Sequence, residues 1–277
     1  MNIAETWYGL LFVLTVRYFL IAGIAYAIWY KLIRKKVSYK KIQFRFPSNK
    51  DFRREIVYSV ISILIFTLVP ALMLQTSLRQ YTQYYNDLDQ HSMLWFWLAF
   101  PLMFLIHDTY FYWMHRLMHH SRLFKLFHVV HHKSTNPSPW AAFSFQPSEA
   151  VLEAGIFVVL VIIMPLHMVH LFIFFLVMML YNVYGHLGWE LYPSGFSTHF
   201  IGKWINTSIN HNQHHQFFKG NYGLYFLFWD RLMGTLRSDY DLYFEKVKMR
   251  GKSRVGNVVT GNFHEISSKK YSVRSVK

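Results

Sequence analysis

The hydrophobic positions of this chain come in long unbroken runs, not at the spacing of a half-buried helix or strand. A hydrocarbon layer about 30 Å thick is crossed by roughly 20 apolar residues in a helix. Residues 7–30 meet that requirement with one interruption, Arg17, and residues 56–74 meet it with no charge at all. Pro70 lies near the end of the second run and predicts a kink there. Residues 92–106 continue into an aromatic stretch ending near Trp113, which makes a third run. From Ala150 to Tyr184 the only charge is Glu153, and the run is too long for one crossing. Pro165 divides it, so the pattern predicts a hairpin of two helices turning near Pro165-Leu166-His167, each arm short for a complete crossing. The expected architecture is all-α, a polytopic membrane bundle of about four or five membrane helices.

Composition supports that picture. The 277 residues are 53% hydrophobic and only 16% charged, where a soluble domain is nearer a quarter charged. The formal net charge of +15 raises two partners, nucleic acid and an anionic membrane surface. Of the 29 Lys and Arg, ten fall in 31–54, four in 116–148 and thirteen in 186–277, leaving Arg17 and Arg79. With the spans above, these three segments share one side, which the positive-inside rule makes cytoplasmic. Orientation accounts for the charge, no nucleic-acid motif accompanies it, and no nucleic-acid partner is expected. The absence of cysteine excludes disulfides, thiolate-bound iron–sulfur clusters and cysteine-containing zinc sites. No basic segment precedes the first apolar run, so a cleavable signal peptide is not expected.

Ten of the sixteen histidines form a pattern between 107 and 215. His115 and His119 make an HxxxH pair, His128-Val-Val-His131-His132 is HxxHH, and His211-Asn-Gln-His214-His215 is HxxHH again. Spacings of three and four residues share one helix face. His115 and His119 are thus able to converge on one ion, as is His128 with His131 or His132, and His211 with His214 and His215. His107 stands about two turns before His115, and His186 follows the return arm of the hairpin. Every one of these lies at a span end or in a segment assigned to the basic side. A single crossing at 150–184 would strand His211 to His215 across the membrane from the others. His91, His120, His167, His170, His199 and His264 have no such company and read as ordinary surface or core residues.

Imidazole suits zinc, copper, iron and nickel alike. Eight to ten ligands exceed the four of one tetrahedral ion and imply two metals. Soluble di-iron bundles add Glu-x-x-His motifs, which are not found with these boxes. Chemistry alone leaves a di-iron oxygenase, a two-zinc lipid hydrolase and a metal-binding or transport protein. Transport sites belong near the bilayer midplane, whereas these boxes belong near its surface.

The run from His107-Asp108 through His115 and His119 resembles the first motif of the fatty acid hydroxylase/sterol desaturase superfamily. His128 to His132 resembles its second box, and Asn136-Pro137 through Trp140 to Phe145 the loop that follows. His186-Leu-Gly188-Trp-Glu190 is similar to its intermediate histidine motif. His211 to His215, with Asn221-Tyr222-Gly223 and Phe228 to Thr235, is similar to its last box and closing signature. The resemblance covers roughly 95–237, with one departure at Gln146, where relatives often carry histidine before Pro-x-Glu. It divides the chain into N-terminal membrane helices with a basic loop (1–91), a catalytic domain (92–240) and a basic, solvated tail (241–277).

The resemblance implies two iron ions, O2 as co-substrate, and attack on an unactivated C–H bond of a lipid, ending in a hydroxyl or a double bond. The eight box histidines and His186 are carried over as iron ligands, with His107, where relatives vary, as a tenth. Asp108 and Glu190 are candidates for carboxylates that orient ligand imidazoles, and Asp230 reads as structural. Trp113, Trp140, Phe143 and Trp189 are candidates for cavity lining or for packing. No flavin or nicotinamide fingerprint is evident, so a separate redox partner, a ferredoxin or a cytochrome b5-like protein, is expected to supply electrons. The expected location is a bacterial inner membrane or the endoplasmic reticulum, with the histidine-rich cap in the cytoplasm.

Overall fold

The computed structural model describes residues 2–250; residues 251–277, with His264 and most of the basic tail, lie outside the described residues. Helix α1 (Ile3–Tyr26) opens on a capping box in which Asn2 and Glu5 accept each other's amides, satisfying donors that a helix start leaves free. It runs on through a π-helical turn to Leu32. A short α2 (Arg34–Val37) leads to an irregular strap over 38–48. Helix α3 (Asn49–Gln75) begins with the same device at Ser48 and Asp51. It continues five residues beyond Pro70, so the proline falls inside the helix and does not end it.

Helix α4 (Met93–Met118) ends in the first histidine box. Two single turns follow, α5 (Phe124–Phe127) and α6 (Val129–His132). The hairpin is α7 (Pro147–Ile163) and α8 (Met168–Gly185). At 17 and 18 residues the arms are about 26 and 27 Å long, short of a full crossing as the pattern predicts. The break falls at Pro165, whose carbonyl accepts the Trp95 indole N–H at 2.9 Å. There β2 (Leu166–His167) pairs in parallel with β1 (Tyr84–Tyr85). His170 joins the same end of the bundle through the Phe96 carbonyl, at 3.0 Å.

The cap is built from α9 (Ser208–Phe217), α10 (Phe228–Leu232) and α11 (Tyr240–Met249). Residues 240–249, which the sequence places in a solvated tail, form a packed helix. Tyr240, Phe244 and Val247 make a stripe at i, i+4 and i+7 that packs on Ile42, Ile209 and Leu227.

Among the described residues four helices are long and apolar enough to cross a membrane: Ile3–Leu32, Asn49–Gln75, Met93–Met118 and Met168–Gly185. Their outward faces carry Phe12, Leu94, Trp97, Leu105 and Phe172 exposed, which suits hydrocarbon and not water. The chain is a multi-pass membrane protein. The basic segments meet at one end of the bundle. The Tyr30 hydroxyl donates to the Leu187 carbonyl at 3.1 Å, Lys41 Nζ to Asn136 Oδ1 at 2.9 Å, and Ser134 to Glu55 Oε1 at 2.8 Å.

Candidate metal centre

Nine histidines converge at that end in two groups. His115, His119, His128, His132 and His214 form one; His131, His186, His211 and His215 form the other. Within each group the ligand nitrogens all lie within 4.8 Å of one another. The boxes are therefore divided between two sites. In a helix i and i+4 stack on one face while consecutive residues point about 100° apart. His128 and His132 enter the first group and His131 the second. On α9, His211 and His215 enter the second and His214 the first. His186, the C-cap of α8, completes the second group.

Hydrogen bonds fix the tautomers. A carbonyl only accepts, so the ring nitrogen facing it carries the proton. Nδ1–H donates to a carbonyl in His115 (Tyr222, 2.9 Å), His131 (Ser144, 3.3 Å), His186 (Asn182, 2.8 Å) and His214 (Gly220, 2.8 Å). His128 Nδ1–H donates to buried Glu149 at 2.5 Å. In these rings Nε2 is left as a bare lone pair aimed inward. The Nε2 atoms of His115 and His128 then face each other at 3.0 Å, and those of His131 and His186 at 3.4 Å, with no proton between them. Lone pairs so placed repel unless a cation lies between. An imidazole nitrogen sits about 2.0–2.1 Å from a first-row ion, so two such ligands at right or tetrahedral angles are about 3.0–3.4 Å apart. The pairs His132–His214 (3.0 Å), His186–His211 (3.0 Å) and His211–His215 (3.1 Å) repeat that separation. The residues present fit one metal ion in each group.

Burial acts in the same direction. Desolvation, with neighbouring imidazoles adding to it, holds His128, His131, His132, His211, His214 and His215 well below the ordinary histidine range. Burial lowers His186 to about 4. Neutral imidazole is the form that binds metal.

Other candidates fall outside the groups. His107 lies eight residues before His115, about 12 Å along the axis and some 80° round the helix. It belongs to neither group and its Nδ1 lies 3.0 Å from the Tyr225 hydroxyl. Asp108 accepts the backbone N–H of Tyr225 (2.8 Å) and Phe226 (3.1 Å), so it holds a loop and not an imidazole. Glu190 likewise accepts from the Tyr184 hydroxyl (2.6 Å) and the amides of Tyr192 and Ile209. Asp230 accepts the amides of Tyr222 and Gly223 and the Thr235 hydroxyl, a structural role. The carboxylate that does orient a ligand ring is Glu149, which the sequence offered in Pro147-Ser148-Glu149 but which reads there as a helix start.

An apolar cavity adjoins the second group, walled by Phe111, Phe145 and Leu224 beside His131, His186 and His211. The tryptophans stand elsewhere: Trp113 on the outer face, Trp140 against Tyr18, and Trp189 against Tyr30. Phe143 packs with Tyr18 in the core. The strap closes the cap from above, Gln43 donating to the Thr135 carbonyl at 2.8 Å and to Asn212 at 2.9 Å.

The fatty acid hydroxylase family model matches residues 100–235, the stretch that holds all nine histidines. The chain is 30% identical to the Delta(7)-sterol 5(6)-desaturase ERG3B of Gibberella zeae over 195 residues, 70% of this chain and 58% of that one. It is 28% identical to the lathosterol oxidase of Homo sapiens, covering 69% of this chain and 62% of that one. With the Delta(7)-sterol 5(6)-desaturase erg3A of Aspergillus fumigatus it shares 30% identity over 84% of this chain and 62% of the relative. The chain thus spans about 60% of the length of the curated relatives it matches. No solved structure matches it. Matching motifs, nine converging imidazoles and these relatives agree: the chain belongs to the fatty acid hydroxylase/sterol desaturase superfamily.

Proposed function

We propose that the chain is an O2-dependent di-iron oxidoreductase that hydroxylates or desaturates a C–H bond of a membrane lipid. The observation that carries this reading is the pair of buried, all-imidazole groups with lone pairs directed inward. Iron bound there would supply O2 activation and oxidation of an unactivated C–H bond. His115, His119, His128, His132 and His214 would hold one ion, and His131, His186, His211 and His215 the other. The protein's part is to position and to exclude water. Backbone carbonyls and Glu149 lock the rings, and Phe111, Phe145 and Leu224 keep the space beside the second group apolar. A dry cavity protects a strongly oxidising centre from side reactions.

The cavity borders the four-histidine group, so that is where the reacting carbon is placed in this reading. Relatives named as sterol desaturases and lathosterol oxidase make a sterol the first substrate to test. The basic end is assigned to the cytoplasm, where a ferredoxin or cytochrome b5-like donor supplies electrons. Residues 92–240 are the catalytic unit in this reading.

Iron and zinc should be quantified per chain in wild type and in His131→Ala/His214→Ala. About two irons in the wild type and none in the double variant is the expected outcome. Two zincs that iron does not replace would move the reading to a hydrolase. Product analysis under 18O2 with a Δ7 sterol then separates a hydroxyl that carries label from a new double bond that does not.

A further inference from the structure

Arg17 is the one cation within the apolar run of α1, on a face remote from the histidine groups. It opens on a lipid-facing groove between α1 and α8, walled by Phe12, Val16, Leu20, Phe172 and Leu176. A guanidinium carries five N–H donors and no acceptor. Among the described residues this one donates from Nη1 to the Phe172 carbonyl at the long distance of 3.5 Å and stands 5.5 Å from the Phe172 ring. Its Nε is buried with no acceptor. Inside hydrocarbon no water relieves such donors, and a charged side chain there needs a partner.

Depth identifies the partner. Helix α8 begins at Met168, four residues before Phe172, so the guanidinium lies about 6 Å along the axis from that helix end. This is the end opposite His186, one turn below the surface of the other leaflet. Bilayer phospholipids present their phosphates at that boundary with acyl chains running inward, and Arg pairs with phosphate through two parallel N–H donors. The groove offers one cation at its mouth and apolar walls beyond it.

We propose that the α1–α8 groove is a phospholipid site: a phosphate of the leaflet opposite the histidine groups accepts from Arg17, and an acyl chain lies along Phe12, Val16, Leu20 and Leu176. The site is independent of the metal centre and of the reading given to it.

Native mass spectrometry of the detergent-solubilised protein, with added phosphatidylglycerol as the probe, tests this. Wild type should retain one phospholipid per chain, and Arg17→Gln should weaken retention about tenfold, the scale of one lost charge-assisted contact. Arg17→Lys should fall between them. Leu20→Trp, which fills the groove and leaves the charge, should also displace the lipid, and metal content measured alongside reports intact folding of each variant. Equal retention by Arg17→Gln and wild type would overturn the proposal. So would selective retention of a free fatty acid, or loss of a dimer in place of a lipid.

Discussion

The histidines of the two groups are held from behind as well as aimed forward, and the least obvious restraint is Glu149. It is fully buried and its contact with His128 is the shortest made by any of the ligand rings to a carboxylate or carbonyl. Partners of this kind set ligand basicity and ring angle. Glu149→Gln should therefore lower metal affinity of the five-histidine group by about 10- to 100-fold, read as metal kept against a competing chelator, with the helical spectrum unchanged. Unaltered retention would reduce Glu149 to a packing residue. A second expectation concerns protons. The rings are neutral in the fold because burial depresses them, His186 to about 4 from 6.5. The unfolded chain therefore binds protons that the native protein resists as pH falls. Stability of the metal-stripped protein should be flat above pH 6.5 and decline from there through about pH 4. A melting temperature constant across that window would contradict neutral histidines.

At the scale of elements, much was legible because the bilayer imposes a simple rule. Apolar runs gave α1, α3 and α4, and Pro165 gave the break between α7 and α8, since proline removes a backbone donor where a helix would continue. The histidine boxes were legible because i, i+3 and i+4 share a face. How each box divides between two sites was not, because that depends on where α4, α6, α8 and α9 meet across more than eighty residues of chain. His107 shows the limit of counting turns: eight residues sounds like two turns, yet leaves the side chain rotated and about 12 Å away. Asp108, beside it, acts on the loop opposite. Asp108→Ala would strand the buried amides of Tyr225 and Phe226, at a cost of about 2–5 kcal/mol for two lost acceptors. A marked fall in melting temperature, partly restored in Asp108→Asn, is the expected result. No change in melting temperature would refute the loop-anchoring role.

For the molecule as a whole, the fold sets both ends of the bundle apart. The strap, the basic loops and the cap share one end, and the β1–β2 pair with the 76–92 loop marks the other. The cysteine-free sequence makes this directly testable by single-cysteine labelling. Lys36→Cys and Lys133→Cys should react with a membrane-impermeant maleimide from the same side, and Asp87→Cys from the opposite side. Labelling of Lys36→Cys and Asp87→Cys from one side would break the proposed arrangement. The tail's first residues were misjudged from sequence because the stripe of Tyr240, Phe244 and Val247 is short and flanked by charges; its meaning appears only when Ile42 and Ile209 are seen to receive it.

The division of adjacent histidines has a further consequence. One peptide bond joins His131 to His132 and another joins His214 to His215, and each pair straddles the two sites. Neither ion is therefore free to choose its own geometry: a small rotation of α9 that suits one displaces a ligand of the other. Loading should accordingly be cooperative, with the first ion preordering the backbone for the second. Partial reconstitution would then give a mixture of empty and filled molecules, with few carrying a single ion.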